Sequence, residues 1–311
     1  MMTENQTRPN EVVPGCLYLV GTPIGNLGDL SPRAASVLSS VDRIAAEDTR
    51  RTLRLLNSLS IRKPLISYHE HNQSSRGPEL ADRLQAGESI ALVSDAGMPC
   101  ISDPGEALVR LCVERGIPVV AIPGPTAALT ALSLSALSTD RFVFEGFLPA
   151  EGRARRERLA LVASEPRTMI LYEAPHRLRK TLAALAAQDL GDRLISIARE
   201  LTKRYESVLR LTVQEAALHY TTNEPIGEFV LILEGRDAFQ LRCPQTASRE
   251  SQEEDQAKAV NSLLSDLFAQ GLSVKAVAAE VAKRTGGKRN DLYRQALNLK
   301  KEAGDTGQSP P

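Results

Sequence analysis

Short apolar runs and helical stripes alternate from Cys16 to about Leu137. The runs at 16–21, 41–47, 64–68, 89–94 and 118–122 read as buried strands bounded by turn residues. Between the first two, Ala34, Val37, Leu38 and Val41 recur at helical spacing. Ser31 is placed to cap that helix, with Pro32 at its first helical position. Asp103-Pro104 reads as a second such pair, followed by Leu108, Leu111 and Cys112 and stopped by Gly116 and Pro118. Pro123-Gly124-Pro125-Thr126 opens a further helix. This alternation predicts an α/β layer with a mainly parallel sheet.

After the polar break Ser138-Thr139-Asp140 the pattern changes. Strands are predicted at 142–147, 167–172, 193–199, 206–212 and 226–234, and helices at 152–164, 176–188 and 213–219. With little helix between several of these strands, the second sheet is expected to be mixed, with antiparallel pairs. Further on, Val260, Leu263, Leu264, Leu267 and Phe268 form one apolar stripe, and Val274, Val277, Ala278 and Val281 a second behind a Ser273 cap. Leu292, Tyr293, Ala296 and Leu297 form a third, with Asn290 as its cap. Three short amphipathic helices with tight links predict a helix-turn-helix-like bundle. The expected organisation is a disordered N-terminus (1–14), an α/β domain (15–139), a second with a mixed sheet (140–237), a linker (238–256), a helical unit (257–301) and a disordered tail (302–311).

Two turns stand out. Gly21-Thr22-Pro23-Ile24-Gly25-Asn26-Leu27 and Ser94-Asp95-Ala96-Gly97-Met98-Pro99 each follow a predicted strand directly. Turns at the carboxyl ends of parallel strands are where ligands bind, and side-chain-poor turns let the backbone approach a ligand closely. Two together predict one small-molecule crevice. Neither has the glycine spacing of a dinucleotide fingerprint or the GK[ST] of a phosphate loop. Glu47-Asp48-Thr49-Arg50-Arg51 falls where a strand meets a helix. Its acids are either favourable helix-end charges or a polar cluster facing the crevice, with a carboxylate able to take a proton from a hydroxyl and Arg50 able to pair with phosphate. Arg199 to Glu206 is either a solvated loop of local ion pairs or a substrate-facing edge. Arg153, Arg155, Arg156 and Arg158 allow the same two readings: a solvated helix face or phosphate contacts. Lys283-Arg284-Thr285-Gly286-Gly287-Lys288-Arg289 links the last two helices, a position suited to nucleic-acid contact. His69 and His71 share a face if extended, but with no third ligand evident a surface or substrate-contact role is preferred to metal binding.

Composition narrows the class. The 311 residues are 42% hydrophobic, enough to fill two cores, and lack tryptophan, so packing rests on Leu, Val, Ile and Ala. The formal net charge of zero argues against a generic polyanion binder while leaving local basic patches open. Cys16, Cys100, Cys112 and Cys243 are scattered, as expected of free cytosolic thiols. Neither a signal peptide nor a run of about 20 apolar residues occurs, so a soluble cytoplasmic protein is expected.

The segments LYLVGTPIGNLGD, DRIAAEDTRRT, ALVSDAGMPCISDPG, IPGPTA, FEGFLP, YEAPHR, ARELTKRYE and GEFVLILEG lie in this order across about residues 15–235. In that combination the chain resembles the ribosomal RNA small subunit methyltransferase I family of the tetrapyrrole methylase superfamily. The resemblance implies two α/β domains of tetrapyrrole-methylase type with a cleft between them, plus a small C-terminal helical domain. It implies a homodimer, S-adenosyl-L-methionine as cofactor, and 2′-O-methylation of a decoding-centre cytidine of 16S rRNA, within the 30S particle. It also implies cofactor contacts from Gly21, Thr22 and Pro23, from Asp95, Ala96, Gly97 and Met98, from Thr126 and Ala127, and from Tyr172 and Pro225-Ile226-Gly227. Met98 stands where the family usually has Thr, which removes a hydroxyl but no backbone group.

A ribose 2′-hydroxyl is a poor nucleophile near neutral pH, so a base or a neighbouring cation is needed. Glu47 and Asp48 are the candidate bases; Lys203 is the candidate for charge stabilisation or for a base of depressed pKa. Arg50, Arg51, Arg199, Lys283, Arg284, Lys288 and Arg289 are the candidate RNA contacts. Two other classes compete: a methylase of a tetrapyrrole-like small molecule, which does not require the basic terminal helices, and a non-catalytic RNA-binding assembly factor, which does not require the crevice.

Overall fold

The computed structural model describes residues 11–244, 259–285 and 289–305, in two compact units, Met1–Phe239 and Gln240–Pro311. The first unit opens with β1 (Leu17–Val20), α1 (Pro32–Ser40), β2 (Arg43–Ala46), α2 (Thr49–Ser58), β3 (Leu65–Ser67) and α3 (Gln73–Gln85). β4 (Ile90–Val93), α4 (Glu106–Glu114), β5 (Val119–Ile122) and α5 (Ala127–Leu134) follow. The five strands form one wholly parallel sheet in the order β3-β2-β4-β1-β5. Its strands are apolar on both faces because helices cover both. Along β1, Tyr18 and Val20 pack towards α1, while Leu17 packs among residues of α3 and α4. β1 and β4 are neighbours from which the chain crosses in opposite directions. The turns after these strands therefore meet at a topological switch point.

The second sheet comprises β6 (Phe142–Phe147), β7 (Thr168–Glu173), β8 (Leu194–Arg199), β9 (Ser207–Thr212) and β10 (Phe229–Leu233), in the order β6-β7-β10-β8-β9. It is mixed as expected: β6 pairs with β7 in parallel and the other pairs are antiparallel. α6 (Gly152–Ser164), α7 (Pro175–Leu185, continued by a single π turn) and α8 (Val213–Thr222) cover one face. α5 covers the other: Ala128, Ala131 and Leu132 pack with Ile170 of β7, Ala198 of β8 and Val230 and Ile232 of β10. Ile24, from the turn after β1, joins this cluster. The first sheet's last helix is thus a core element of the second sheet.

Local signals account for most element ends. The Ser31 hydroxyl accepts from the Ala34 N–H at 3.1 Å, with Pro32 in the first turn. Three expectations need correction. α4 is capped by Gly105, not by Asp103, because Cys100 (φ 73°), Ser102 (φ 60°) and Gly105 (φ 142°) hold the preceding loop in left-handed or extended-glycine conformations that no helix shares. Second, the stretch read as a linker starts with a helix, α9 (Arg236–Arg242), seated by the buried Phe239. Residues 245–256 of that stretch lie outside the described residues, as do most of the termini read as disordered. Third, of the basic cluster on α6, Arg155 turns inward to Pro149 O and Thr181 Oγ1, both at 2.9 Å, while Arg153 and Arg158 pair with Glu157 and Glu145.

The second unit has a helix α10 through 259–269, α11 (Val274–Thr285) and α12 (Arg289–Asp305). Leu264, Leu267, Val277, Ala278, Val281, Leu292 and Ala296 form its core. Tyr293 and Leu297, read as part of the third stripe, are exposed instead. Asn290 falls inside α12, which starts one residue earlier than its expected cap.

In the first unit, Gly21 and Gly124 pack main chain against main chain. A Cβ on Gly124 would lie 2.8 Å from Gly21 Cα and 3.0 Å from its carbonyl oxygen, atoms that cannot swing aside. Gly124→Ala is expected to cost about 1–3 kcal/mol through overpacking, and to lower the melting temperature by several degrees. Gly191→Ala, where an added Cβ meets nothing nearer than 3.7 Å, is expected to melt like wild type.

Candidate active site

The turns after β1 and β4 are bonded to each other. Thr22 N–H donates to Gly97 O at 2.9 Å, and Gly97 N–H donates to Thr22 O at 3.1 Å. The buried Thr22 hydroxyl also donates to Ser94 O at 3.3 Å. This tie separates two cavities. The larger, about 440 Å³, lies between the ends of the first sheet's strands and the face of the second sheet. Asp95, Ala96, Gly97 and Met98 line it, with Thr126 and Ala127 from the start of α5 and Tyr172 from β7. The smaller, about 250 Å³, is lined by Thr22, Pro23 and residues of α2. Asp95 and Arg51 belong to both.

The two cavities meet among carboxylates. Asp95 accepts from Asp48 N–H at 3.1 Å and pairs with Arg51 at 3.3 Å. Glu47 turns into the larger cavity; burial, and then the Asp95 charge, raise its carboxyl above the ordinary range. Asp103 lines the same wall, and burial followed by the charges of Glu47 and Asp95 pushes it up to about 6, against the hydrogen bond from Ser94. At the far end Glu173, 3% exposed, accepts from Ala174 N–H at 2.9 Å and from Thr181, and pairs with Arg177 at 3.3 Å. That network fixes the Ala174-Pro175 wall. Thr126 Oγ1 accepts from Leu129 N–H at 3.3 Å, so the residue that caps α5 also faces the cavity.

Several expected site residues are placed elsewhere. Asp48 caps α2, accepting from Arg50 N–H at 2.8 Å, and pairs with the Arg50 guanidinium, which holds its carboxyl down at about 2. Both lie outside the cavities, and a carboxyl so acidic is a poor proton acceptor near neutrality. Lys203 bonds Glu200 at 2.9 Å and Glu228 at 3.0 Å. Burial alone would depress its ammonium, but the two carboxylates outweigh it and its pKa is raised, which removes the depressed-pKa base. Its side-chain stem instead closes on Gly25, where an added Cβ would lie 2.5 Å from Lys203 Cγ. Pro225, Ile226 and Gly227 stay outside because Arg199 holds the Ile226 carbonyl at 2.6 Å; Glu228, Phe229 and Val230 line the cavity in their place. Gly21 lines neither cavity and serves the contact with Gly124. Lys283 and Arg284 end α11, Arg284 paired with Glu280 at 2.8 Å. Lys288 and the Arg289 side chain lie outside the described residues.

The profile of the Tetrapyrrole (Corrin/Porphyrin) Methylases matches residues 16–217, and that of the RsmI C-terminal HTH domain matches residues 253–300. Ribosomal RNA small subunit methyltransferase I of Synechocystis sp. is 48% identical over 92% of this chain and 98% of its own. The chain belongs to the ribosomal RNA small subunit methyltransferase I family. The Pseudomonas aeruginosa member is 46% identical over 91% of this chain and 97% of its own. Among solved structures, a cobalt precorrin-4 methyltransferase superposes with a TM-score of 0.55 at 16% identity, covering 71% of this chain and 95% of that one. A uroporphyrin-III C-methyltransferase from Thermus thermophilus, complexed with S-adenosyl homocysteine, superposes with a TM-score of 0.53 at 19% identity, covering 70% and 96%. The two-sheet architecture is therefore the tetrapyrrole-methylase fold.

Asp103 and the Glu173 network were not singled out from sequence. Asp103 was absorbed by its cap-like Asp-Pro pairing. Glu173, in the YEAPHR segment, left a trace: an acid ending an apolar strand is costly to bury without donors. Thr126→Ala is expected to lose about 1 kcal/mol of stability with the α5 cap, and Thr126→Ser to retain it, as read by chemical denaturation.

Proposed function

We propose that this chain is an S-adenosyl-L-methionine-dependent methyltransferase of small-subunit ribosomal RNA, acting on the ribose 2′-hydroxyl of a decoding-centre cytidine. Family membership supports the reaction class. The observation that carries the reading is a half-buried carboxylate, Glu47, where an acid-lined cavity adjoins a second, arginine-bearing one. Assembly as a homodimer, action on the 30S particle and a cytoplasmic setting belong to the same proposal. Among the described residues no helix is long and apolar enough to cross a membrane.

The larger cavity fits the donor chemically. Its apolar side chains, Met98, Ile101, Phe147, Tyr172 and Val230 among them, suit an adenosyl group. Its carboxylates, Glu47, Asp95 and Asp103, suit a cation. Gly97, Thr126 and Ala127 would hold the donor's remaining polar groups. When bound, the donor supplies a methyl group activated by the sulfonium. The protein's task is then to align an acceptor oxygen, exclude water and remove one proton. Glu47 takes that proton: burial and the Asp95 charge raise its pKa, which makes it a stronger base than an ordinary carboxylate. Lys203 acts through position, holding the 199–206 loop against Gly25.

Glu47→Gln is expected to lower single-turnover methylation of small-subunit rRNA by about 10²-fold or more, with donor binding weakened but still measurable. Unchanged turnover in this variant would remove Glu47 as the base. The pH dependence has a definite sign. Asp103 carries its charge above about 6, so affinity for the cationic donor is expected to fall as pH drops through that value. The groups facing it are Glu47, Asp95, Ser94, Cys100 and Tyr172. Calorimetric titration at about pH 5 and about pH 8 measures the difference, which Asp103→Asn is expected to reduce.

A further inference from the structure

The smaller cavity has not been given a ligand, and its lining is specific. α2 places Arg51 and Arg54 three residues apart, on one side of the helix, and both line it. Pro23 and Leu27 from the turn after β1, and Leu55 one residue beyond Arg54, form an apolar side, and Thr22, Thr52, Ser94 and Asp95 supply polar groups towards the wall shared with the larger cavity. The three arginines of this helix differ in their commitments. Arg50 is tied to Asp48 and faces neither cavity. Arg51 is paired with Asp95 at the shared wall. Arg54 is exposed, and no carboxylate pairs with it among the described residues. An uncommitted guanidinium beside an apolar slot recognises an anion carried on a flat or apolar body. An inorganic anion would make no use of Pro23, Leu27 and Leu55.

We infer that the smaller cavity seats the acceptor nucleotide, with Arg54 and Arg51 taking backbone phosphate and the slot formed by Pro23, Leu27 and Leu55 taking the base or sugar. The inference rests on the rRNA reading above and extends it to a place and to Arg54. Asp95 and Arg51 border both cavities, so a ribose held here lies beside the wall that carries Glu47. The acceptor thus enters from the α2 side, while the donor cavity opens between the two sheets.

The test is equilibrium binding of a fluorescein-labelled single-stranded oligoribonucleotide to full-length protein without donor, over a salt series. Arg54→Ala is expected to weaken binding about tenfold and to flatten the logarithmic salt dependence by about one phosphate contact, with Arg54→Lys intermediate. Arg153→Ala, which removes an exposed arginine lining neither cavity, serves as the reference for a generic loss of charge. Affinity and salt slope in Arg54→Ala equal to those of Arg153→Ala would overturn the inference. So would loss of inorganic phosphate binding alone with oligoribonucleotide binding intact, which would make the cavity a free-anion site. Failure of the rRNA reading would appear separately, as wild-type protein that transfers no methyl group to small-subunit rRNA; the Arg54 comparison would still decide what the cavity binds.

Discussion

Two main-chain hydrogen bonds between Thr22 and Gly97 join the turns that leave the first sheet at its switch point. Everything near the site is positioned by that tie. It sets one cavity on each side and brings Asp95 to the wall between them. It also fixes the direction of the chain after Thr22, so that Ile24 inserts into the apolar cluster on the second sheet and Gly25 receives the stem of Lys203. The two sheets are held together by this insertion and by α5, which starts at the cavity and ends as part of the second sheet's core. A shift of either turn would move the cavity wall and the packing between the sheets together.

The electrostatics of the site follow from which charges find partners outside it. Asp48 and Arg50 satisfy each other, Lys203 pairs with Glu200 and Glu228, and Arg199 holds a backbone carbonyl. Those contacts shape loops. Glu47, Asp95 and Asp103 face inward in reduced solvent, with Arg51 paired to Asp95. Like charges crowded at low dielectric hold their protons longer, which accounts for the raised values of Glu47 and Asp103. A dense run of charge in sequence is therefore a poor guide to where charge is available for chemistry.

The fold was legible where local pattern and tertiary context agree. The ten strands of the described residues stand where apolar runs lie between turn residues; the mixed pairing of the second sheet was also legible, although only the β8–β9 connection lacks a helix. The convergence of the turns at Thr22 and Gly97 could be read because strand ends in a parallel sheet meet by geometry. Side-chain destinations were less legible. Glu47 and Asp48 are adjacent in the connection from β2 to α2, yet one faces a cavity and the other caps the helix. Asp103 has the local appearance of a cap, and only the left-handed residues around it reveal that no helix begins there. The 225–227 turn misses the cavity by a residue because Arg199, distant in sequence, holds it back.

The facing glycines at 21 and 124 carry a further consequence. Where two large side chains collide in a core, trimming one can relieve enlargement of the other. Here each partner is already the smallest residue available, and the contact is main chain against main chain. Enlargement at either position therefore has no second-site remedy within the pair, and relief has to come from moving whole loops. The two positions are coupled so tightly that neither can drift, although neither lines either cavity.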